Sequence, residues 1–175
     1  LQQGEVHPVF QAMGLLDYDA ATLGNHEFNY GLDFLDTVLE GAPFPYVSAN
    51  VFYDDGADDS EYYVKPYEII KKKFTDKKGR NKVLRVGVTG VVTPQITQWD
   101  KAHLDGKIVT KDIVQSVEAV IPKMEKAGAD IIIVLAHSGI GDAEYVEMEE
   151  NATYDLTKVD GIDAIITGHN HLKFP

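Results

Sequence analysis

The chain has 175 residues, a length typical of one domain, and its composition excludes several classes of protein. Hydrophobic residues make up 44% of it and charged residues 25%, so it can bury enough apolar surface to fold. Its formal net charge of −12 disfavours binding to a nucleic acid polymer or to an anionic membrane. The absence of cysteine excludes disulfides and thiolate metal sites, and no apolar run approaches the roughly 18 residues that span a bilayer.

Alternating helix and strand signals predict an α/β fold. Apolar residues at helical spacing predict helices, and continuous apolar runs bounded by Gly or Asp predict strands. The predicted elements are, in chain order, a helix over 9–16, a strand over 18–23, a helix over 32–39, a strand over 46–51, an exposed acidic loop over 54–61, a hairpin formed by 62–74 and 82–90, a helix over 112–127 that Pro122 bends or divides, a fully apolar strand over 130–136, an acidic helix over 142–150 and a final buried strand over 163–167.

Polar segments follow three of these strands, where the sheets of α/β proteins bind ligands. The Gly-Asn-His-Glu sequence at 24–27 combines a flexible glycine with an amide, an imidazole and a carboxylate, although a polar turn and helix cap would look the same. His137 ends an apolar run, and alone such a histidine is more often a hydrogen-bonded residue at the edge of a core. The Gly-His-Asn-His sequence at 168–171 is the strongest signal. In an extended segment, its two imidazoles would face the same side and reach one ion or two neighbouring ions.

The chemistry of these side chains indicates divalent metal ions. Neutral imidazoles and an amide oxygen suit zinc, manganese or iron. Two such ions supply about four positive charges, which within the Debye length of about 8 Å outweigh a diffuse acidic surface, so a phosphate substrate is compatible with this chain. A metal pair also generates hydroxide as a nucleophile near neutral pH and clamps the phosphoryl oxygens during in-line attack.

The order of these motifs resembles the calcineurin-like metallophosphoesterases. The longer stretches GNHEFNYGLDFL, FPYVSANVF, VTPQITQWDKAHL and GIDAIITGHNHLKFP are similar to the bacterial 2′,3′-cyclic-nucleotide 2′-phosphodiesterase/3′-nucleotidase branch of the 5′-nucleotidase superfamily. The similarity covers essentially all 175 residues. It implies an α-β-β-α sandwich in which residues 1–175 are part of one catalytic domain, incomplete at its N-terminus. Since Leu1 is not an initiator Met, we expect an interior piece of a longer protein.

The resemblance also implies a role for individual residues. It makes Asn25, His137 and His169 ligands of the second of two divalent ions, and His171 a ligand of the first. His26 is the implied catalytic histidine, which stabilises the transition state or protonates the leaving oxygen. Asn25 is also implied as a catalytic residue, and both Asn25 and His26 are implied to contact the substrate. The implied substrates are small molecules, namely 2′,3′-cyclic nucleotides and 3′-nucleotides, and the implied location is the periplasm or cell wall. No oligomeric state is implied.

Two departures from the family pattern affect these expectations. The family carries an Asp-x-His strand end and a Gly-Asp turn ahead of the asparagine, and neither precedes Asn25, so we expect this chain alone to bind metal weakly and to hydrolyse little. Asn29 stands where 5′-nucleotidases carry an aspartate, and an asparagine can orient the ring of His26 but cannot stabilise its cation by charge. This favours the cyclic-phosphodiesterase branch, although Glu27 could take part of the role.

Other hypotheses remain open at this point. The chain could be a 5′-nucleotidase of the same superfamily, a dinuclear amidohydrolase, or a non-catalytic α/β binding module. Trp99 could stack a nucleobase, but aromatic residues of this kind more often pack within the protein. Ser138 lies beside a histidine without a second orienting group, which argues against a serine-hydrolase triad.

Overall fold

The computed structural model describes residues 6–56 and 60–173, and these form a layered α/β structure. Its helices are α1 (Pro8–Leu15), α2 (Leu32–Glu40), α3 (Ile96–Trp99), α4 (Lys101–Leu104), α5 (Ile113–Lys126) and α6 (Thr153–Leu156). Its strands are β1 (Ala21–Thr22), β2 (Tyr46–Val47), β3 (Val51–Tyr53), β4 (Tyr67–Thr75), β5 (Asn81–Val92), β6 (Ile108–Thr110), β7 (Ile131–His137) and β8 (Ala164–Thr167).

The largest sheet has the strand order β4-β5-β7-β8. β4 and β5 form the predicted antiparallel hairpin, in register from Tyr67 opposite Thr89 to Thr75 opposite Asn81. β5, β7 and β8 run parallel, so their carboxyl ends meet at one edge of the sheet. This edge is where α/β sheets place ligand sites.

A second layer of strands lies on this sheet. β1 and β2 pair in parallel, and β3 pairs antiparallel with β6. Gly90 of β5 permits the close approach of the layers, because a methyl group there would collide with the Thr22 hydroxyl and the Val47 carbonyl. α1 and α2 cover the far side of β1 and β2, where Phe10, Val38 and Phe44 form an apolar cluster. The α/β class and the sandwich layering are therefore confirmed.

Helix α5 covers the opposite face of the main sheet with the apolar stripe that its sequence predicts. Its N-terminus is capped by Asp112, whose side chain accepts a hydrogen bond from the Gln115 N–H at 3.0 Å. The helix continues through Pro122, so the alternative that Pro122 divides it is wrong. A proline inside a helix costs about 3 kcal/mol, and burial of large apolar side chains at about 1.5–3 kcal/mol each offsets this cost. The buried residues of α5 include Ile113, Val117, Val120, Ile121 and Met124.

Strand β7 presents two different faces. Ile132, Val134 and Ala136 are buried against the α5 layer, whereas Ile133 and Leu135 are only partly buried. The less buried face borders an open groove of about 810 Å³, which residues 16–22 line on its other side and which reaches His137. The strand predicted from this apolar run is therefore present as β7, and only one of its two faces is fully buried.

Strand β8 also differs from its prediction as a buried strand. It lies at the edge of the main sheet, and Ile166 is 62% exposed. An apolar composition indicates a strand but does not report its position within the sheet. The predicted strand over 46–51 is likewise two short strands, separated where the Asn50 side chain bonds to the backbone of Val92.

The acidic segment 142–150 is an irregular loop, so the helix predicted there is wrong. Tertiary hydrogen bonds hold the backbone of Met148: its N–H donates to Asp112 Oδ2 at 2.8 Å, and its carbonyl accepts from Gln95 Nε2 at 2.9 Å. Met148 also has a φ of 63°, which an α-helix does not allow. These contacts override the helical propensity of the segment.

Residues 57–59 of the predicted acidic loop lie outside the described residues, as do residues 1–5 and 174–175 of the predicted domain. Within 6–56 and 60–173, no helix has both the length and the apolar character that a bilayer crossing requires.

Candidate metal centre

The candidate site forms where β1, β7 and β8 end. After β1, Gly24 leads into a 3₁₀ turn over Asn25–Phe28, which presents the side chains of Asn25 and His26. β7 ends at His137, and β8 is followed by the segment 168–171. The layering of β1 on the main sheet brings the three strand ends together.

Asn25 and His137 are in direct contact, although 112 positions separate them in the chain. Asn25 Oδ1 lies 2.8 Å from His137 Nε2. Gly24 makes room for the ring, because a methyl group at this position would lie 2.8 Å from His137 Cε1 and 2.9 Å from Nδ1. Such contacts are too short for any larger residue to be accommodated without a shift of the ring.

His169 lies next to His137, with 5.1 Å between the two ring centroids. Its Nε2 is 2.8 Å from Glu150 Oε1, and its ring stacks on the indole of Trp99 at a centroid distance of 5.8 Å. The carboxylate therefore engages Nε2 of His169 and not Nδ1. Metal-binding histidines commonly have a carboxylate partner of this kind.

The backbone around His171 differs from the predicted extended segment. His169 has a φ of 78° and His171 a φ of 55°, both in the left-handed region, and the strand has already ended at Thr167. The two imidazoles therefore do not share a side through strand periodicity. Loop geometry brings them to the site instead, and His171, which is exposed, still acts electrostatically on His137.

The electrostatics of His137 reflect this crowding. Burial, followed by the neighbouring imidazoles of His169, His26 and His171, lowers the pKa of His137 to about 4. A lowered pKa keeps the ring neutral at physiological pH. Neutral imidazole is the form that binds metal ions.

His26 has a different set of partners. Its Nδ1 lies 2.8 Å from Asn29 Oδ1, and Asn29 Nδ2 lies 3.0 and 3.1 Å from the two carboxylate oxygens of Asp100. Glu27, the other expected partner, accepts a hydrogen bond from the Gly24 N–H at 2.7 Å and so caps the turn. The structure therefore pairs His26 with Asn29, and not with Glu27.

The donor chemistry and spacing of this site fit part of a metal centre. Two adjacent ligands of one ion, each about 2.1 Å from it and separated by a coordination angle of about 90°, lie about 3 Å apart, close to the 2.8 Å between Asn25 Oδ1 and His137 Nε2. No group of three His, Cys, Asp or Glu side chains able to hold an ion occurs among the described residues. Asn25, an amide, falls outside such a group. The amide of Asn25 and the imidazole of His137 therefore fit two of the ligands of a metal ion.

Sequence reasoning did not assign three residues of this neighbourhood to the site. Glu150 lies in a segment predicted as a helix, and Trp99 was attributed to packing without a partner. Asp100 had no signal beyond its place in the TQWD sequence, 71 positions from Asn29. The contacts of these three side chains with the site form only when the chain folds, so no local pattern in the sequence indicates them.

Comparison with known proteins supports the assignment of the fold. Residues 5–173 match the family model described as calcineurin-like phosphoesterase. The chain is 46% identical over 175 residues to the 2′,3′-cyclic-nucleotide 2′-phosphodiesterase/3′-nucleotidase of Salmonella typhimurium, covering 100% of this chain and 27% of that protein. It is 50% identical over 172 residues to the trifunctional nucleotide phosphoesterase protein YfkN of Bacillus subtilis, covering 98% of this chain and 12% of that protein.

A solved structure gives the same result. The crystal structure of the calcineurin-like phosphoesterase YfkN from Bacillus subtilis superposes with a TM-score of 0.92 at 49% identity, covering 98% of this chain and 50% of that chain. The chain thus spans about a quarter or less of the length of these two curated relatives. On the family match and the fold together, the chain belongs to the calcineurin-like phosphoesterase family.

Proposed function

We propose that this chain is part of the catalytic domain of a two-metal phosphoesterase that hydrolyses 2′,3′-cyclic nucleotides and 3′-nucleotides. The observation that carries the proposal is the pairing of Asn25 Oδ1 with His137 Nε2 at 2.8 Å, with His169 and His26 beside it. Family membership supports the reaction type, and the names of the relatives support the substrate class.

The proposed ligands divide into two sets. Asn25, His137 and His169 would hold one divalent ion and His171 the other, with zinc, manganese or iron as the ions that suit these donors. When bound, such ions supply positive charge for the phosphoryl oxygens and acidify a water molecule. The low pKa of His137 supports this assignment, because the ring does not need to lose a proton before it binds a cation at neutral pH.

The proposed role of His26 is to donate a proton to the leaving oxygen. Opening a 2′,3′-cyclic ester breaks the bond between phosphorus and one ribose oxygen, and hydrolysis of a 3′-nucleotide breaks the bond to the other. Each ribose oxygen is a poor leaving group and needs a proton as it departs. His26 is exposed beside Asn25, and its Nδ1 is engaged by Asn29, so Nε2 is the nitrogen available for this transfer. Asn25, next to it, would help orient the phosphate.

The net charge of −12 supports a small substrate, since a nucleic acid polymer would meet repulsion over a wide surface. Positive charge from two ions acts only within about 8 Å, which suits one phosphate group. We also propose, from the family resemblance, that the protein is exported to the periplasm or cell wall.

The test combines metal analysis with turnover. The purified full-length protein should contain transition metal by inductively coupled plasma mass spectrometry and should hydrolyse 2′,3′-cyclic AMP, 3′-AMP and bis(p-nitrophenyl) phosphate. Treatment with a chelator should abolish turnover, and re-addition of zinc or manganese should restore it.

Each alternative predicts a different result. A preference for 5′-AMP over 3′-AMP would indicate a 5′-nucleotidase, and hydrolysis of amides without phosphodiesters would indicate an amidohydrolase. A protein with neither bound metal nor hydrolysis would be a binding module.

A further inference from the structure

We propose that Asp100 is a positioning residue for His26, which it fixes in one tautomer through the amide of Asn29. The role of His26 in turnover rests on the proposed function, whereas the tautomer itself does not. The three side chains form a continuous series of hydrogen bonds: His26 Nδ1 to Asn29 Oδ1 at 2.8 Å, and Asn29 Nδ2 to both Asp100 oxygens at 3.0 and 3.1 Å.

Asp100 is held firmly in place. It lies between α3 and α4 and is only 9% exposed, although aspartate is a residue type that is rarely buried without a partner. Its backbone N–H donates to the Ile96 carbonyl at 2.9 Å, and its own carbonyl accepts from His103 N at 2.8 Å. A carboxylate on such a support is a fixed acceptor that can orient a more exposed neighbour.

The carboxylate determines the orientation of the Asn29 amide. An amide has a donor end and an acceptor end, and an ionised carboxylate accepts hydrogen bonds only. If the amide turned over, its oxygen would face two carboxylate oxygens and both hydrogen bonds would be lost. Asp100 therefore keeps Nδ2 toward itself and Oδ1 toward His26.

The orientation of the amide in turn determines the tautomer of His26. Asn29 Oδ1 can only accept, so Nδ1 of His26 must carry the proton that it donates. Nε2 is then left as the nitrogen that exchanges a proton with the substrate. A neutral histidine in the other tautomer would have an unprotonated Nδ1 facing an oxygen, and neither group could donate.

The arrangement also supplies the charge that Asn29 lacks. A neutral asparagine beside the ring orients it, but the negative charge of Asp100 lies directly behind the amide and polarises it toward His26. Asn29 orients the His26 ring and Asp100 supplies the negative charge, whereas a single aspartate beside the ring would do both.

Nitrogen-15 NMR tests the tautomer without reference to activity or metal. In the purified metal-free protein, the ring nitrogens of His26, assigned with His26→Gln, should show a protonated Nδ1 and an unprotonated Nε2 at a pH where the ring is neutral. Asp100→Asn should produce a mixture of the two tautomers, because an amide at position 100 can pair with Asn29 in either orientation. Asp105→Asn, a change of an exposed carboxylate in the same segment, should leave the spectrum of His26 unaltered. A wild-type ring protonated on Nε2 overturns the proposal.

Kinetics with two leaving groups tests the consequence. Asp100→Asn should lower kcat for 3′-AMP, whose ribose oxygen needs a proton, by about 10- to 100-fold, with little change in KM. For p-nitrophenyl esters, whose leaving group needs little help, the loss should stay within about threefold. The exchanged pair, Asn29→Asp with Asp100→Asn, should restore turnover of 3′-AMP because a carboxylate then contacts the ring directly.

The outcomes separate this proposal from the proposed function. If the wild-type protein hydrolyses no phosphoester, the proposed function fails, and the NMR result alone decides the role of Asp100. If the wild-type protein is active and Asp100→Asn lowers turnover of both substrates equally, without rescue by the exchanged pair, Asp100 has a merely structural role and the proposal is wrong.

Discussion

His137 and His26 lie at the same edge of the molecule, but the protein surrounds them differently. His137 is partly buried among other imidazoles and contacts an amide, and its pKa is lowered to about 4. His26 is exposed, and a buried carboxylate acts on it through Asn29. The first environment keeps the ring neutral down to about pH 4, which suits a metal ligand. The second favours a ring with a fixed proton on one nitrogen, which suits proton transfer.

The largest expected effect on metal content follows from removal of the neutral ring of His137. His137→Ala should abolish binding at one metal position and lower turnover by at least about 100-fold, since a direct ligand is lost. Metal content and turnover of bis(p-nitrophenyl) phosphate are the measurements. His103→Ala, a histidine outside the site, is the matched control and should retain both. Full metal content in His137→Ala would contradict the assignment.

For the exposed ring of His26, we expect a small effect on metal content and a large effect on turnover. His26→Ala should keep its metal but lose about 10²- to 10⁴-fold in turnover of 3′-AMP, which is the usual contribution of a general acid or base. The same two assays measure it. If His26→Ala and His137→Ala lose metal equally, the two environments do not correspond to two roles.

An intermediate effect on metal affinity is expected from a change of Gly24, the residue that makes space for the His137 ring. In Gly24→Ala the new methyl group would lie 2.8 Å from His137 Cε1 and 2.9 Å from Glu27 Oε2, so the His137 ring must shift from its present position. We expect metal affinity to fall about 10-fold, within the range for changes that misplace a ligand without removing it. Calorimetric titration with zinc measures the affinity. An unchanged affinity would mean that the ring has room that the structure does not show.

The smallest effect concerns pH. In the unfolded chain a histidine takes up its proton near pH 6.5, whereas folded His137 does so near pH 4. As the pH falls from about 6.5 to about 4, the unfolded state therefore binds a proton that the folded state does not, and the free energy of unfolding decreases. Above about pH 6.5 the contribution of His137 is constant.

Two measurements check this pH dependence in the metal-free protein. NMR titration should place the midpoint of His137 near pH 4. Urea unfolding of His137→Gln should lack the part of the decrease that His137 causes. A titration midpoint near pH 6.5 would show that burial and the neighbouring imidazoles do not lower the pKa of His137.

Much of the site could be predicted because its residues follow recognisable strands. Asn25, His137 and His169 each come soon after an apolar run, and such positions meet at one edge of an α/β sheet. The helix α5 was equally clear from its apolar stripe and its Asp112 cap. These are local patterns, and their meaning does not depend on the rest of the chain.

The remaining features depend on contacts that local patterns do not encode. Asp100 lies beside Asn29 only because α3 and α4 pack near the 3₁₀ turn, and its sequence context resembles that of any acidic residue after a short helix. The loop carrying Met148 has helical propensity, but Asp112 and Gln95 hold its backbone in another conformation. The exposure of Ile166 reflects the place of β8 in the sheet order, which composition does not reveal.

The distance along the chain between Asn25 and His137 has a further consequence. A contact that joins positions 112 residues apart depends on tertiary structure, because no local element brings the two residues together. No short peptide from either end would retain partial affinity for a ligand held between them. A molecule bound between them stabilises the folded state, so if the chain unfolds in a single transition, its binding raises the melting temperature of α5 and of the strand ends alike.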